Sequence, residues 1–84
     1  MDFKGRVAIV TGSGSPRGIG REITRALAEK GCSVVVADMN LEGAQKNAED
    51  LKNEFGCDSM AVSANVTDEA SVKAMFDAVF AKYG

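Results

Sequence analysis

The stretch TGSGSPRGIG, from Thr11 to Gly20, decides how this chain folds. It directly follows the apolar run Val7–Val10, which is typical of a strand covered on both faces, as in a parallel sheet. After it, apolar residues recur at helical spacing as far as Leu27, and Gly31 marks the end of the helix. A strand, a glycine-rich turn and a helix in this order predict the first unit of a parallel α/β sheet.

The rest of the chain repeats this alternation twice. We predict a second buried strand over residues 33–38 and a helix that begins after the N-cap Asn40. A weaker third strand over residues 58–63 and a last helix, capped by Thr67 or Asp68, complete the order. The predicted fold class is therefore α/β, a Rossmann-type half domain with β-α-β-α-β-α connectivity. Right-handed crossovers give three parallel strands in the order 3-2-1, with the first two helices on one face and the third helix starting toward the other.

Composition and charge argue against several function classes. The 84-residue chain has a formal net charge of −2, so we predict no nucleic-acid partner, which would need a concentrated basic face. Its longest apolar run, Val34–Ala37, is too short to span a membrane. The chain has no histidine and no cluster of soft ligands, so we predict no metal site. Since the N-terminus shows no secretory signal, we expect a cytoplasmic protein in which Cys32 and Cys57 are reduced.

Glycines of the first turn suit a phosphate group. Gly12, Gly18 and Gly20 lack the β-carbons that would keep phosphate oxygens away from the backbone. The helix that begins near residues 17–19 would aim its free N–H groups and positive dipole end at a pyrophosphate. We therefore predict a dinucleotide-binding loop; the alternative is a glycine-rich turn without a ligand. The predicted cofactor-binding residues in this loop are Gly12, Ser13, Gly14, Arg17, Gly18 and Gly20.

An acidic residue follows the loop at the interval that a dinucleotide site requires. Asp38 stands 18 residues after Gly20, at the end of the second predicted strand. A carboxylate there can accept hydrogen bonds from both ribose hydroxyls and repels the 2′-phosphate of NADP. The alternative is a loop carboxylate that caps the next helix. Arg17 favours NADP, because a guanidinium can pair with the 2′-phosphate. We weigh the fixed acid above the mobile arginine and predict NAD as the cofactor, with NADP as the alternative.

Four segments carry a resemblance to a known family. In order along the chain they are Thr11–Gly12, Gly18–Gly20, Val35–Asp38 and Asn65–Asp68. With them, the whole chain resembles the N-terminal part of a short-chain dehydrogenase/reductase. We therefore expect residues 1–84 to be the N-terminal half of a dinucleotide-binding domain, a fragment truncated before the fourth strand. The resemblance implies an intact oxidoreductase that transfers hydride between a nicotinamide cofactor and a carbonyl or alcohol substrate.

The resemblance also implies roles for single residues. Thr11 would support the turn, and Ile19 would border the phosphates together with the glycines. Asn65 and Val66 would border the adenine. The segment Arg17–Arg21 further resembles 3-oxoacyl-carrier-protein reductases, so a 3-oxoacyl thioester is the first substrate to consider.

The chain departs from the family pattern at two places. Five residues separate Gly12 from Gly18, where the family has three, and Asn65 stands where many members carry aspartate. An amide can still donate to and accept from an adenine edge, so we expect altered binding rather than its loss.

No catalytic residue is predicted within the chain. By the resemblance, the family's Asn-Asn-Ala-Gly segment, catalytic serine and Tyr-x-x-x-Lys pair would all follow Gly84. Tyr83 has no lysine four residues later and belongs to the apolar stripe of the last helix. We therefore expect no turnover from this chain alone.

A second hypothesis is a stand-alone nucleotide-binding or oligomerisation module without catalytic activity. The first strand would be an apolar sheet edge, and the apolar stripe from Val72 to Tyr83 would lack part of its cover. We therefore expect the isolated chain to self-associate through the first strand or the last helix.

Replacing Gly18 with Val is expected to abolish dinucleotide binding while the chain still folds. The added side chain would occupy space that the phosphates need. Titration with NADH, followed by nicotinamide fluorescence, measures the affinity, and circular dichroism measures the fold. An unchanged affinity would remove the phosphate-loop assignment.

Overall fold

The computed structural model describes residues 4–14 and 18–84. Strands and helices alternate along the chain as the sequence predicts. In chain order they are β1 (Val7–Thr11), α1 (Ile19–Glu29), β2 (Ser33–Asp38), α2 (Leu41–Phe55), β3 (Ser59–Ser63) and α3 (Glu69–Tyr83).

The three strands form one parallel sheet with β2 in the centre. Ile9 of β1 pairs with Val35 of β2, and Val35 pairs with Met60 of β3. The predicted strand order 3-2-1 is confirmed. Residues Val34–Ala37 are 0% exposed, which is why the central strand is an unbroken apolar run rather than an alternating one.

Helices cover both faces of the sheet. On one face, α1 and α2 pack over Val34 and Val36, and Leu51 of α2 is part of this core. On the other face, Met75 of α3 packs with Ala37. The predicted division of the helices between the two faces is confirmed.

Capping side chains begin α2 and α3. The Asn40 side chain accepts a hydrogen bond from the Gly43 N–H at 3.2 Å. Of the two candidates for α3, Asp68 is the N-cap and accepts from the Ala70 N–H at 3.0 Å. Thr67 instead forms part of the preceding turn.

The two cysteines are buried free thiols. Burial raises the pKa of the Cys32 and Cys57 thiols above the ordinary value. Both therefore stay protonated at neutral pH, and a protonated thiol is a poor nucleophile and a poor metal ligand. Among the residues described, no three potential ligands come together as a metal site, and no helix has the length and apolar character to cross a membrane.

Candidate functional site

The carboxyl ends of the three strands meet at one edge of the sheet and border a shallow cavity. Its volume is about 240 Å³. The cavity is lined by Thr11, Gly12, Asp38, Met39, Ala64 and Val66. Three of the predicted site residues therefore line one cavity: Gly12 after β1, Asp38 at the end of β2 and Val66 after β3. Ligands of open parallel sheets bind at this edge, because the loops there can vary without disturbing the sheet.

The glycines of the loop serve two different purposes. Gly12 and Gly18 have φ angles of 69° and 117°, and a β-carbon on either would meet no atom within 4 Å. They are open positions whose backbone other residues rarely adopt. A β-carbon on Gly20 would lie 2.8 Å from the Gly12 carbonyl oxygen. Gly20 therefore lets α1 pack closely on the loop, and any residue at Gly18 strains the loop itself.

Gly18 is also the N-cap of α1, which begins at Ile19. Glycine offers no capping side chain, so the helix end presents backbone N–H groups and its positive dipole end. An anionic ligand is well matched to such a helix end. The Ile19 side chain is exposed beside it.

Asp38 braces the loop against the end of β2. Its Oδ2 accepts a hydrogen bond from the Gly14 N–H at 3.0 Å, and its Oδ1 accepts one from the Asn40 N–H at 2.9 Å. The carboxylate is thus held by two backbone donors. Each carboxylate oxygen keeps a second acceptor position, so the brace leaves Asp38 able to accept from a ribose hydroxyl.

Gly14 packs closely between the end of β2 and the first turn of α2. A β-carbon on Gly14 would lie 2.7 Å from the Asp38 Cβ, and one on Gly43 would overlap the Gly14 carbonyl oxygen. Loop, strand and helix can meet only because both positions are glycine. The sequence analysis found Gly14 but missed Gly43. One clue in the sequence was the position of Gly43 in the first turn of the predicted second helix. Glycine destabilises a helix, so a glycine there suggests that another segment packs closely against it.

Ser13 holds the loop to the sheet. Its N–H donates to the Ala37 carbonyl oxygen at 3.3 Å, and its hydroxyl donates to the Val10 carbonyl oxygen at 2.6 Å. Both donors are used within the protein, so the side chain supports the loop and has no proton left to donate to a ligand. Arg17, also predicted in this site, lies outside the described residues.

In the turn after β3, Val66 lines the cavity, and the Asn65 side chain is hydrogen-bonded within the turn itself. Asn65 Oδ1 accepts from the Thr67 hydroxyl at 2.6 Å and from the Thr67 N–H at 3.0 Å. The Ala64 N–H donates to the Asp38 carbonyl oxygen at 3.0 Å and ties this turn to β2. Val66 therefore lines the cavity, whereas the Asn65 carboxamide oxygen stabilises the turn.

A buried polar group beneath the loop escaped the sequence analysis. Asn47 lies within the apolar face of α2 and contacts the loop and α1 at once. The clue in the sequence was that Asn47 falls at helical spacing with Ala44 and Ala48, so it lies on the face of the helix that packs on the sheet. A polar side chain there needs partners within the protein.

Comparison with known proteins agrees with this architecture. The family model described as short chain dehydrogenase matches residues 6–84. The NADP-dependent mannitol dehydrogenase of Hypocrea jecorina is 37% identical over 85 residues, which cover 100% of this chain and 32% of the relative. The 3-oxoacyl-[acyl-carrier-protein] reductase of Escherichia coli is 36% identical over 84 residues, with 100% and 32% covered.

A solved structure shares the fold at similar identity. The L-sorbose reductase of Gluconobacter frateurii, complexed with NADPH and L-sorbose, superposes with a TM-score of 0.93 at 31% identity. The match covers 100% of this chain and 31% of the reductase. The chain thus spans about a third of the length of the proteins that it matches.

Gly43→Ala is expected to destabilise the protein by about 1–3 kcal/mol, because the new methyl group must push α2 away from Gly14. In an ordinary helix the same change stabilises by up to about 1 kcal/mol. Urea unfolding measures the difference. Gln45→Ala, on the exposed side of the same helix, serves as the control and should change stability by less than about 0.5 kcal/mol. A stabilised Gly43→Ala variant would contradict the close approach.

Proposed function

This chain belongs to the short-chain dehydrogenase family, and we propose that it forms the dinucleotide-binding part of an NAD(P)-dependent oxidoreductase. The observation that carries the proposal is the cavity at the carboxyl edge, which Gly12, Asp38 and Val66 line together. The chain's relatives include a mannitol dehydrogenase described as NADP-dependent. The cofactor named for this relative supports a nicotinamide cofactor here.

The residues at this edge fit the parts of such a cofactor. Gly12 and Gly18 have open space where a side chain would stand, so phosphate oxygens can approach the backbone and the N-terminus of α1. Asp38 has carboxylate oxygens to accept from the ribose hydroxyls, and Val66 offers an apolar surface for the adenine. When bound, the nicotinamide ring would donate or accept the hydride.

The residues of this chain bind and orient, and the proton-transfer groups would lie elsewhere in the intact protein. Tyr83 is remote from the cavity, because the end of α3 approaches the amino edge of the sheet, where Lys82 Nζ lies 3.3 Å from Asp58 Oδ1. Burial raises the pKa of the Tyr83 hydroxyl above its ordinary value, which makes it a weaker proton donor still. We propose that the chain alone catalyses no turnover.

The intact protein is proposed to interconvert a carbonyl compound and an alcohol. Of the three similar proteins described above, two are named for a sugar or a sugar alcohol and one for 3-oxoacyl groups. A 3-oxoacyl thioester stays our first substrate proposal, and a polyol is the second.

We propose NAD as the preferred cofactor, with NADP as the alternative. Two backbone donors hold the Asp38 carboxylate in place, and a fixed negative charge repels a 2′-phosphate more than a mobile one does. The NADPH complex of the sorbose reductase favours the alternative.

Direct titration tests the proposed function. The chain should bind NADH or NADPH with a rise in nicotinamide or protein-to-nicotinamide transfer fluorescence, and ADP-ribose should compete. Failure of both dinucleotides to bind a folded chain would overturn the proposal.

Asp38→Ala should narrow any preference for NADH over NADPH by about tenfold, or about 1.4 kcal/mol. Loss of the brace to Gly14 weakens both dinucleotides alike, so the ratio of the two Kd values isolates the repulsion of the 2′-phosphate. Asp58→Ala is the matched control, since it removes the same charge at the opposite edge of the sheet. An unchanged ratio would mean that Asp38 only braces the loop.

A second candidate function is a stand-alone binding or oligomerisation module. Two observations favour it: Val7 is half-exposed on β1, which forms an edge of the described sheet, and Phe80 of α3 is 64% exposed. We propose that these surfaces associate between copies of the isolated chain.

Sedimentation velocity over a range of protein concentrations should detect dimers or larger species, because apolar edges and helix faces associate in water. Phe80→Ser should shift the distribution toward monomer if α3 carries the contact. The control is Leu41→Ser, which removes a half-exposed apolar side chain from α2, on the face of the sheet opposite to α3. A monodisperse monomer would contradict the self-association.

A further inference from the structure

We propose that Asn47 of α2 is a positioning residue of the dinucleotide site, because its side-chain amide holds the loop at Ser13 in the shape that receives the phosphates. The inference rests on the proposed function. It extends the site to α2, because Asn47 does not itself line the cavity at the carboxyl edge.

The Asn47 amide joins three parts of the fold. Its side chain is fully enclosed, with the residue 1% exposed. Nδ2 donates to the Ser13 carbonyl oxygen at 2.8 Å and to the Thr24 hydroxyl oxygen at 3.2 Å. Oδ1 accepts from Arg21 Nη1 at 3.2 Å. One side chain of α2 therefore binds both the glycine loop and α1.

The network allows one orientation of the amide. The Ser13 carbonyl oxygen can only accept, and the Arg21 guanidinium can only donate, so a flipped Asn47 would oppose like groups on both sides. Asp50, one turn later on α2, accepts from Arg21 Nη2 at 2.9 Å and holds the guanidinium in place. The direction in which Asn47 pulls the loop is therefore determined.

The loop needs this contact because its neighbours in the chain are held from other sides. Ser13 already bonds to β1 through its hydroxyl and to β2 through its N–H, and the Gly14 N–H bonds to Asp38. The Ser13 carbonyl oxygen is the group that α2 secures. Without Asn47, the Ser13–Gly14 peptide can rotate, and the adjoining Gly12 backbone moves with it. Backbone donors that are displaced from phosphate oxygens bind them less well.

A purely structural role can be separated from positioning. Ser59 is also fully buried, and its hydroxyl donates to the Ala48 carbonyl oxygen of α2 at 2.7 Å. Ser59→Ala removes a buried hydrogen bond to the neighbouring residue of the same helix, on the side away from the loop. It is the matched control for Asn47→Ala.

The experiment compares Asn47→Ala, Asn47→Leu and Ser59→Ala with the unaltered chain. Kd for NADH and for NADPH is measured by fluorescence titration, and stability by thermal unfolding. We expect Asn47→Ala to raise both Kd values about tenfold and Ser59→Ala to change them less than about twofold. Leucine has nearly the shape of asparagine, so the Asn47→Leu variant should fold. It cannot donate to the Ser13 carbonyl oxygen, so its Kd for both dinucleotides should be raised like that of Asn47→Ala.

Each outcome is decisive. Equal Kd values for Asn47→Ala and Ser59→Ala would overturn the positioning role while leaving the proposed function intact. An unaltered chain that binds neither dinucleotide would overturn the proposed function and this inference with it. Failure of both Asn47 variants to fold would make Asn47 a residue of the core and likewise overturn the assignment.

Discussion

The hydrogen bond from the Gly14 N–H to the Asp38 carboxylate ties the glycine loop to the end of β2, and the site is arranged around it. It brings the backbone of the loop against a strand end and against the first turn of α2, at a distance that only glycine at positions 14 and 43 permits. Once the loop is fixed there, Gly12 and the start of α1 face the same edge of the sheet as Asp38. The N-terminus of α1, where we propose that phosphates bind, and Asp38, which we propose accepts from the ribose, then lie at the same edge.

Hydrogen bonds within the protein hold Ser13 and Gly14 of the loop in place. Ser13 uses both of its donors on strand carbonyl oxygens, and Asn47 secures its carbonyl oxygen from below. A loop held in this way loses little conformational freedom when a ligand binds, which favours affinity. At Gly12 and Gly18, where φ is positive, the space that a β-carbon would occupy is open. Both features, a loop fixed from below and open space at its glycines, support the proposed phosphate site.

Much of the fold was predictable because it depends on local patterns. The unbroken apolar run Val34–Ala37 predicts a strand buried on both faces, and it is one. Asn40 was identified as a cap from its position alone, whereas the choice between Thr67 and Asp68 needed the structure, since either side chain can cap. The site was less predictable. Ser13 was grouped with ligand-binding residues, yet its hydroxyl bonds within the protein. Gly43 and Asn47 went unnoticed because their partners lie about 30 residues away in the chain.

The order of strands and helices, the parallel sheet and the family could all be inferred from the sequence alone. These depend on periodicity, on turn residues and on the handedness of crossovers, all of which act over short stretches of chain. The tertiary structure alone decided which polar groups face one another: that Asp38 braces Gly14, that Gly43 makes room for it, and that Asn47 reaches Ser13. Such contacts join residues distant in the chain, so they exist only once the helices have packed on the sheet.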